Sequence, residues 1–324
     1  MNASSDRILR VRRTLNPPLI ALLLAVVLFF AGGLVKPNFV NLDQATNIVR
    51  LAAFLGIIAA GQTLVIISGG EGIDLSVGAV VTLGAMLTFR FTDGDNNLIP
   101  LGLLLACGSG LLIGLLNGLG VSLLRIPPLV MTLGMTGVVQ GTVLVVTQGE
   151  MLGATPRLMA KWIASPLVLG IPGVIFIWLA LGVAMWLVLN RTTYGKYLFA
   201  IGTNRTAARL SGVRVQFIVV ATYMLSGLLA GFGGFILLGF SQTVFLQLGN
   251  SYLFPSIAAV VVGGTLLSGG MGSYWGTMSG ALVLTLIDSL LRAMELDEAY
   301  QLIIVGIILL ALISIYGRQT SLRQ

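Results

Sequence analysis

A chain of 324 residues with 56% hydrophobic and only 9% charged side chains departs on both counts from soluble domains, where about 25% of residues are charged. Its apolar surface exceeds what one core of this length can hide, which excludes a soluble globular enzyme, a disordered chain and a disulfide scaffold; a single cysteine, Cys107, and no histidine exclude an internal disulfide, the usual zinc sites and His-based triads. The formal net charge of +7 reads as Lys and Arg holding loops on the cytoplasmic side of a membrane rather than as a nucleic-acid surface.

A spanning helix needs about 20 mostly apolar residues. Such runs fall at 16–35, 45–69, 77–91, 98–124, 126–147, 167–190, 215–240, 252–268, 274–294 and 299–316. The expected fold class is therefore an all-α membrane protein, a polytopic bundle of about ten transmembrane helices. The runs 77–91 and 252–268 are short and adjoin or contain Gly and Pro, so they are expected as broken or re-entrant helices, tolerated only where protein shields the backbone. Arg7, Arg10, Arg12 and Arg13 precede the first run without a convincing cleavage site after it, so it reads as a retained helix. The organisation is a cytoplasmic segment 1–15, one transmembrane domain 16–316 with a cytoplasmic loop 191–214, and a tail 317–324. With the N-terminus inside, only Lys36, Arg50, Arg90, Arg157, Lys161 and Arg292 of the eighteen cations fall outside, which gives an N-in, C-in orientation.

Glycine is abundant, with 42 residues. Gly110, Gly114 and Gly118, Gly227 and Gly231, and Gly276 and Gly280 recur every fourth residue, lining helix faces where backbones can approach closely. The pattern is read first as packing within one subunit, with a subunit interface or a moving contact as the alternatives. Between the second and third spans, Gly69, Gly70 and Gly72 precede Asp74, so the chain must turn or unwind there. Asp74 either caps the next helix, with Ser76 in its first turn, or belongs to a broken helix that contacts substrate.

Within the cytoplasmic loop, Asn204 to Gly212 carries the marks of a short helix. Asn204 suits the N-cap, Ala207 and Ala208 the interior, and Gly212 the left-handed position after the end. A helix of two turns must be held by packing, against the bundle or another protein. Inside the spans, Gln62, Asn117, Thr136, Gln140, Tyr223, Ser226 and Asp288 must each face protein or water. They are mostly uncharged, which suits a neutral polar solute, and Asp288 has Arg292 one turn on as a local partner. No phosphate-cradling G-x-x-x-x-G-K-[ST] loop exists, and no nucleophile has a base beside it. The chain is expected to be no enzyme and to hold no cofactor or metal.

Taken together, Gly72-Ile73-Asp74-Leu75-Ser76-Val77-Gly78, Gly114 to Gly118 with Arg125-Ile126-Pro127-Pro128 and Thr132-Leu133-Gly134, Tyr194-Gly195-Lys196 with Ala200-Ile201-Gly202 and Asn204–Gly212, then Val262-Gly263-Gly264-Thr265 and Gly269 to Ser273, resemble one family. It is that of the permease subunits of ribose/xylose/arabinose-type sugar ABC importers, within the branched-chain amino-acid/sugar permease superfamily, and the likeness runs over roughly 45–316. Glu71 is a departure, lengthening the turn before Ile73. The resemblance implies one half of a transmembrane pore in a bacterial inner membrane, paired with a second copy or a sibling permease. It implies a periplasmic or surface-tethered binding protein that delivers a monosaccharide or polyol, and cytoplasmic ATPase subunits that carry ATP and Mg. Asn204–Gly212 would then be the coupling helix, with Asn204, Arg205, Ala207, Ala208, Arg209, Ser211 and Gly212 seated on the ATPase. Gln62, Asp74, Ser76, Asn117 and Gln140 are expected to face the substrate path near the dimer seam. A branched-chain amino-acid permease, a secondary transporter or facilitator of small polar solutes working alone, and a non-transporting scaffold are the competing readings.

Overall fold

Hydrocarbon offers no partner to a backbone N–H or C=O, so a chain this apolar must satisfy its main chain internally, and helices do so within one segment. The computed structural model describes residues 17–307 except 151, 169, 298, 302 and 305. In chain order its helices are α1 (Pro17–Val35), α2 (Leu42–Ile67), α3 (Val77–Thr92), α4 (Ile99–Ser122), α5 (Pro128–Thr147), α6 (Arg157–Ala164), α7 (Gly173–Arg191), α8 (Thr193–Thr203), α9 (Arg205–Leu210), α10 (Val215–Ser241), α11 (Asn250–Val262) and α12 (Tyr274–Ala293). Among the described residues, seven are long and apolar enough to cross a membrane: α1, α2, α4 with the turn Asn96–Leu98 that precedes it, α5, α7, α10 and α12. The apolar helices α3, with 16 residues, and α11, with 13, occupy the places of the expected interrupted spans. Residues 299–307 are helical where described, while the rest of the expected last span and the segments 1–15 and 317–324 lie outside the described residues.

Local chemistry sets the boundaries. The Asn41 Oδ1 accepts from the Gln44 N–H at 2.7 Å and starts α2, and the Ser273 Oγ accepts from the Gly276 N–H at 3.0 Å and starts α12. Two segments differ from the sequence expectation. The run 167–190 does not begin as helix: strands β1 (Pro166–Val168) and β2 (Ile171–Pro172) pair antiparallel around Gly170 at φ +80°, and α7 starts only at Gly173. Pro166 and Pro172 withhold N–H donors there. The preceding loop holds α6, which buries Met159 and Ile163 and exposes Trp162.

Helix α2 is buried almost throughout, whereas α1, α4 and α5 turn most of their surface outward. It ends at the face that carries Gly70, and α10 runs the opposite way, toward the face that carries Asp93. Each is followed by a break and a short helix. Helix α2 packs on α11 and α12, α10 packs on α3 and α4, and α3 meets α4 as α11 meets α12. The two halves are thus arranged with inverted chain direction, an architecture open to transporter folds.

The spaced glycines lie in the subunit's own seams. A Cβ at Gly110 would fall 2.1 Å from the Gly227 carbonyl oxygen, one at Gly114 2.1 Å from that of Tyr223, and one at Gly118 2.8 Å from the Val220 Cα. A Cβ at Gly227 or Gly231 would in turn fall 2.0 Å from the Gly110 or Ala106 carbonyl oxygen. A Cβ at Gly276 or Gly280 would likewise fall 2.1 Å from the carbonyl oxygens of Gly263, at the end of α11, and Ala259 within it. Gly114→Leu should therefore cost ~3 kcal/mol or more by overpacking against backbone, read as loss of monodisperse protein in detergent, while Gly108→Leu, whose Cβ meets nothing within 4 Å, should purify like the parent.

Candidate functional site

The centre of the molecule is the segment that joins α2 to α3. Gly69 and Gly70 adopt φ +68° and +65°, and Glu71 follows at +59°. Three successive left-handed residues reverse the chain, which returns along the last turns of α2 as far as Gln62. From Gly72 onward it is buried or half-buried and non-helical, so it needs partners for its backbone from elsewhere. Gln62 supplies two: its Nε2 donates to the Asp74 carbonyl at 2.6 Å and its Oε1 accepts from the Asp74 N–H at 3.3 Å. Helix α5 supplies the others. The Thr132 Oγ1 accepts from the Leu75 N–H at 3.1 Å and the Thr136 Oγ1 donates to the Leu75 carbonyl at 3.1 Å.

The Asp74 side chain, 1% exposed, is a hub. Its Oδ1 accepts from the Ser76 N–H at 3.0 Å and the Ser76 hydroxyl at 2.6 Å, and its Oδ2 accepts from the Ser226 hydroxyl of α10 at 3.0 Å. The Asn117 Nδ2 of α4 donates to the Ser76 Oγ at 2.9 Å. Four of the five residues proposed from sequence for the path, Gln62, Asp74, Ser76 and Asn117, are brought together in this buried network. The fifth, Gln140, is not: it sits on an exposed face of α5, beside Gly137 and Gly141, where an added Cβ would meet nothing within 4 Å. Ser226 joins the network, and Tyr223 is buried one turn before it on α10. Thr132 was not among the residues expected on the path; its signals are its place in Thr132-Leu133-Gly134 and one turn before Thr136.

Asp74 faces inward, and its neighbours Ile73 and Leu75 line a cleft of about 1540 Å³. The cleft runs from this segment to the Asp93 face between α2, α11 and α12, and its polar lining includes Gln44, Asn47, Asn250, Ser251, Thr285 and Ser289. Two cations line it, Lys36 and Arg292, and each is already paired, Lys36 with Glu295 at 3.5 Å and Arg292 with Asp288 at 3.0 Å. Beside its floor the two short helices begin together. The Gly249 N–H donates to the Thr82 Oγ1 at 3.0 Å, and a Cβ at Gly249 would stand 2.1 Å from the Gly78 carbonyl oxygen.

At the Gly70 face, α9 is capped as its residues dictate. The Asn204 Oδ1 accepts from the Ala207 N–H at 2.9 Å, and Gly212 closes the end at φ +83°, its N–H donating to the Arg209 carbonyl at 3.0 Å. Ala207, Arg209, Leu210 and Ser211 face outward, Leu210 being 84% exposed. Ala208 is buried against the bundle, and Arg205 turns back to donate to the Gly69 carbonyl at 3.3 Å. Two members of the proposed docking set thus face the bundle, while Leu210, an apolar residue in a water-facing loop, was passed over. Helix α8, also unforeseen, is tied to α10 by the Tyr194 hydroxyl at 2.9 Å from the Thr222 Oγ1. Burial pushes the Tyr194 phenol up to about 12, so the bond persists across physiological pH.

The family described as branched-chain amino acid transport system / permease component matches residues 44–313. The chain belongs to that family. Among relatives of the permease, fructose import permease FrcC of Rhizobium meliloti is 32% identical over 92% of this chain and 84% of its own length. Ribose import permease RbsC of Escherichia coli K12 is 33% identical over 90% of each. Autoinducer 2 import system permease LsrC of Shigella flexneri is 32% identical over 94% of this chain and 87% of its own. No solved structure matches.

Gln62→Leu strips partners from both backbone groups of Asp74, and leaving a buried donor and acceptor unpaired costs ~1–3 kcal/mol each. The permease carrying it should melt several degrees lower in detergent than the parent; Gln140→Leu, on the exposed face, should melt like the parent.

Proposed function

We propose that this chain is the transmembrane permease subunit of an ATP-driven importer that carries a monosaccharide or similar polyol across a bacterial inner membrane. The observation that carries the reading is the likeness to import permeases for ribose and fructose over nearly the whole length of both partners. The cleft agrees with it in chemistry. Its amides and hydroxyls suit sugar hydroxyls, and its charged groups are paired with one another, so they offer no separated cation and anion to a zwitterionic amino acid.

In this reading the Gly70 face is cytoplasmic, because Arg7, Arg10, Arg12 and Arg13 lead directly into α1 there and Arg191, Lys196, Arg205, Arg209 and Arg214 cluster at it. A binding protein delivers substrate to the cleft at the Asp93 face, and Gln62, Asp74, Ser76 and Asn117 act from behind its floor, holding Ile73 and Leu75 in place. A second copy or a sibling permease seats on the α5 face of Gly134, Gly137 and Gly141, where Gln140 would find a partner away from lipid. The outward face of α9, formed by Ala207, Arg209, Leu210 and Ser211 with Asn204 and Gly212 shaping its ends, docks on an ATPase subunit that binds ATP and Mg. This chain needs no cofactor of its own.

Reconstitution tests the reading. Uptake of radiolabelled ribose or fructose into proteoliposomes should require ATP, the ATPase subunit and the binding protein together; uptake by this chain alone would make it a facilitator. Arg209→Glu and Leu210→Asp should leave membrane insertion intact and abolish co-purification of the ATPase, and retention of the complex in both variants would remove α9 from the docking surface.

A further inference from the structure

Three chain segments meet backbone to backbone at the Gly70 face: the end of α2, the end of α8 and the turn before α12. The Gly270 N–H donates to the Ile67 carbonyl at 2.9 Å. A Cβ at Gly202 would lie 2.0 Å from the Ile67 carbonyl oxygen, and one at Gly269 would lie 2.4 Å from the Gly69 Cα. With no side chain between them, these segments transmit a displacement without a soft element to absorb it.

Arg205 adds a polar tie from α9 to this junction. Its guanidinium donates to the Gly69 carbonyl at 3.3 Å and lies over Gly70, so close that a Cβ there would stand 2.6 Å from its Cζ. Its Nε is buried without a hydrogen-bond partner. A cation needed only for topology would stay in water, where Arg209 points; turning Arg205 inward carries a desolvation cost that the contact with Gly69 and Gly70 offsets.

We propose that Arg205 is a positioning residue for transport: it clamps α9 to the Gly69–Gly70 reversal, so that a shift of α9 drags the segment whose Ile73 and Leu75 line the cleft. The far end of that segment is pinned by Gln62 and Thr136, so a pull at Gly69 bends the stretch between. The inference rests on the reading of α9 as the ATPase-facing helix, and it separates Arg205, which connects inward, from Arg209, which connects outward.

The test uses the complete complex in proteoliposomes, with Cys107→Ser to remove the native thiol and Ser251→Cys as a reporter in the cleft, labelled by a membrane-impermeant maleimide. In the parent, nucleotide turnover should change the labelling rate. In Arg205→Met the ATPase should still co-purify and hydrolyse ATP at the parent rate, while the nucleotide-dependent change in labelling shrinks about twofold to thirtyfold, the range of coupling losses seen along such contacts. Gly70→Ala, which leaves the α9 sequence unchanged but puts a Cβ against the guanidinium and strains the left-handed backbone at φ +65°, should do the same, and combining the two should add little further. Labelling in either variant that responds as in the parent overturns the proposal. So does loss of the ATPase from Arg205→Met, which would make Arg205 a docking residue. A parent complex that never responds to nucleotide would instead sink the importer reading beneath it.

Discussion

The structure depends on a single constraint: an unwound segment inside an apolar bundle must have every backbone group met by protein. The return from Gly72 to Ser76 is that segment, and the side chains that meet it come from four helices. Gln62 belongs to α2, Thr132 and Thr136 to α5, Asn117 to α4 and Ser226 to α10. None of these contacts is expensive to form in isolation, yet removing a partner leaves a polar group stranded where no water compensates. The same bonds that make the break tolerable therefore fix which residues reach the cleft, Ile73 and Leu75, and which stay behind it, Asp74 and Ser76.

This division recasts Asp74. A carboxylate within a span suggests either a helix cap or a path-lining group. In the folded chain it orders the turn locally through Ser76 and ties it to α10 through Ser226. Both oxygens of its carboxylate are taken up by these bonds. The polar lining of the cleft comes from residues that stand out less in sequence, such as Asn47 and Ser251, because a single amide or hydroxyl near the end of a span looks like any other.

What was legible in the sequence was what depends on near neighbours. The apolar runs, the interruptions before 77 and 252, the Asn204 cap and the Gly212 end all follow from residues within a few positions of one another. The amphipathic α6 and the hairpin of β1 and β2 were also local, but two prolines and a long loop masked them. The partners of the buried network were not legible: Gln62 meets a backbone twelve residues on, and Ser226 reaches Asp74 across 152 positions. The direction of Arg205 likewise depends on Gly69, which is 136 residues away. Periodicity cannot report such pairs, and composition marks them only as polar.

The seam between α4 and α10 carries one more consequence. Where Gly110 meets Gly227 and Gly114 meets Tyr223, main chain lies directly on main chain. Side chains can repack by small rotamer steps, but interlocked backbones cannot creep past each other. These two helices therefore behave as one rigid strut, and any change of shape that opens the subunit must be taken up elsewhere, as along the outer helix α5, where Gly134, Gly137 and Gly141 face open space.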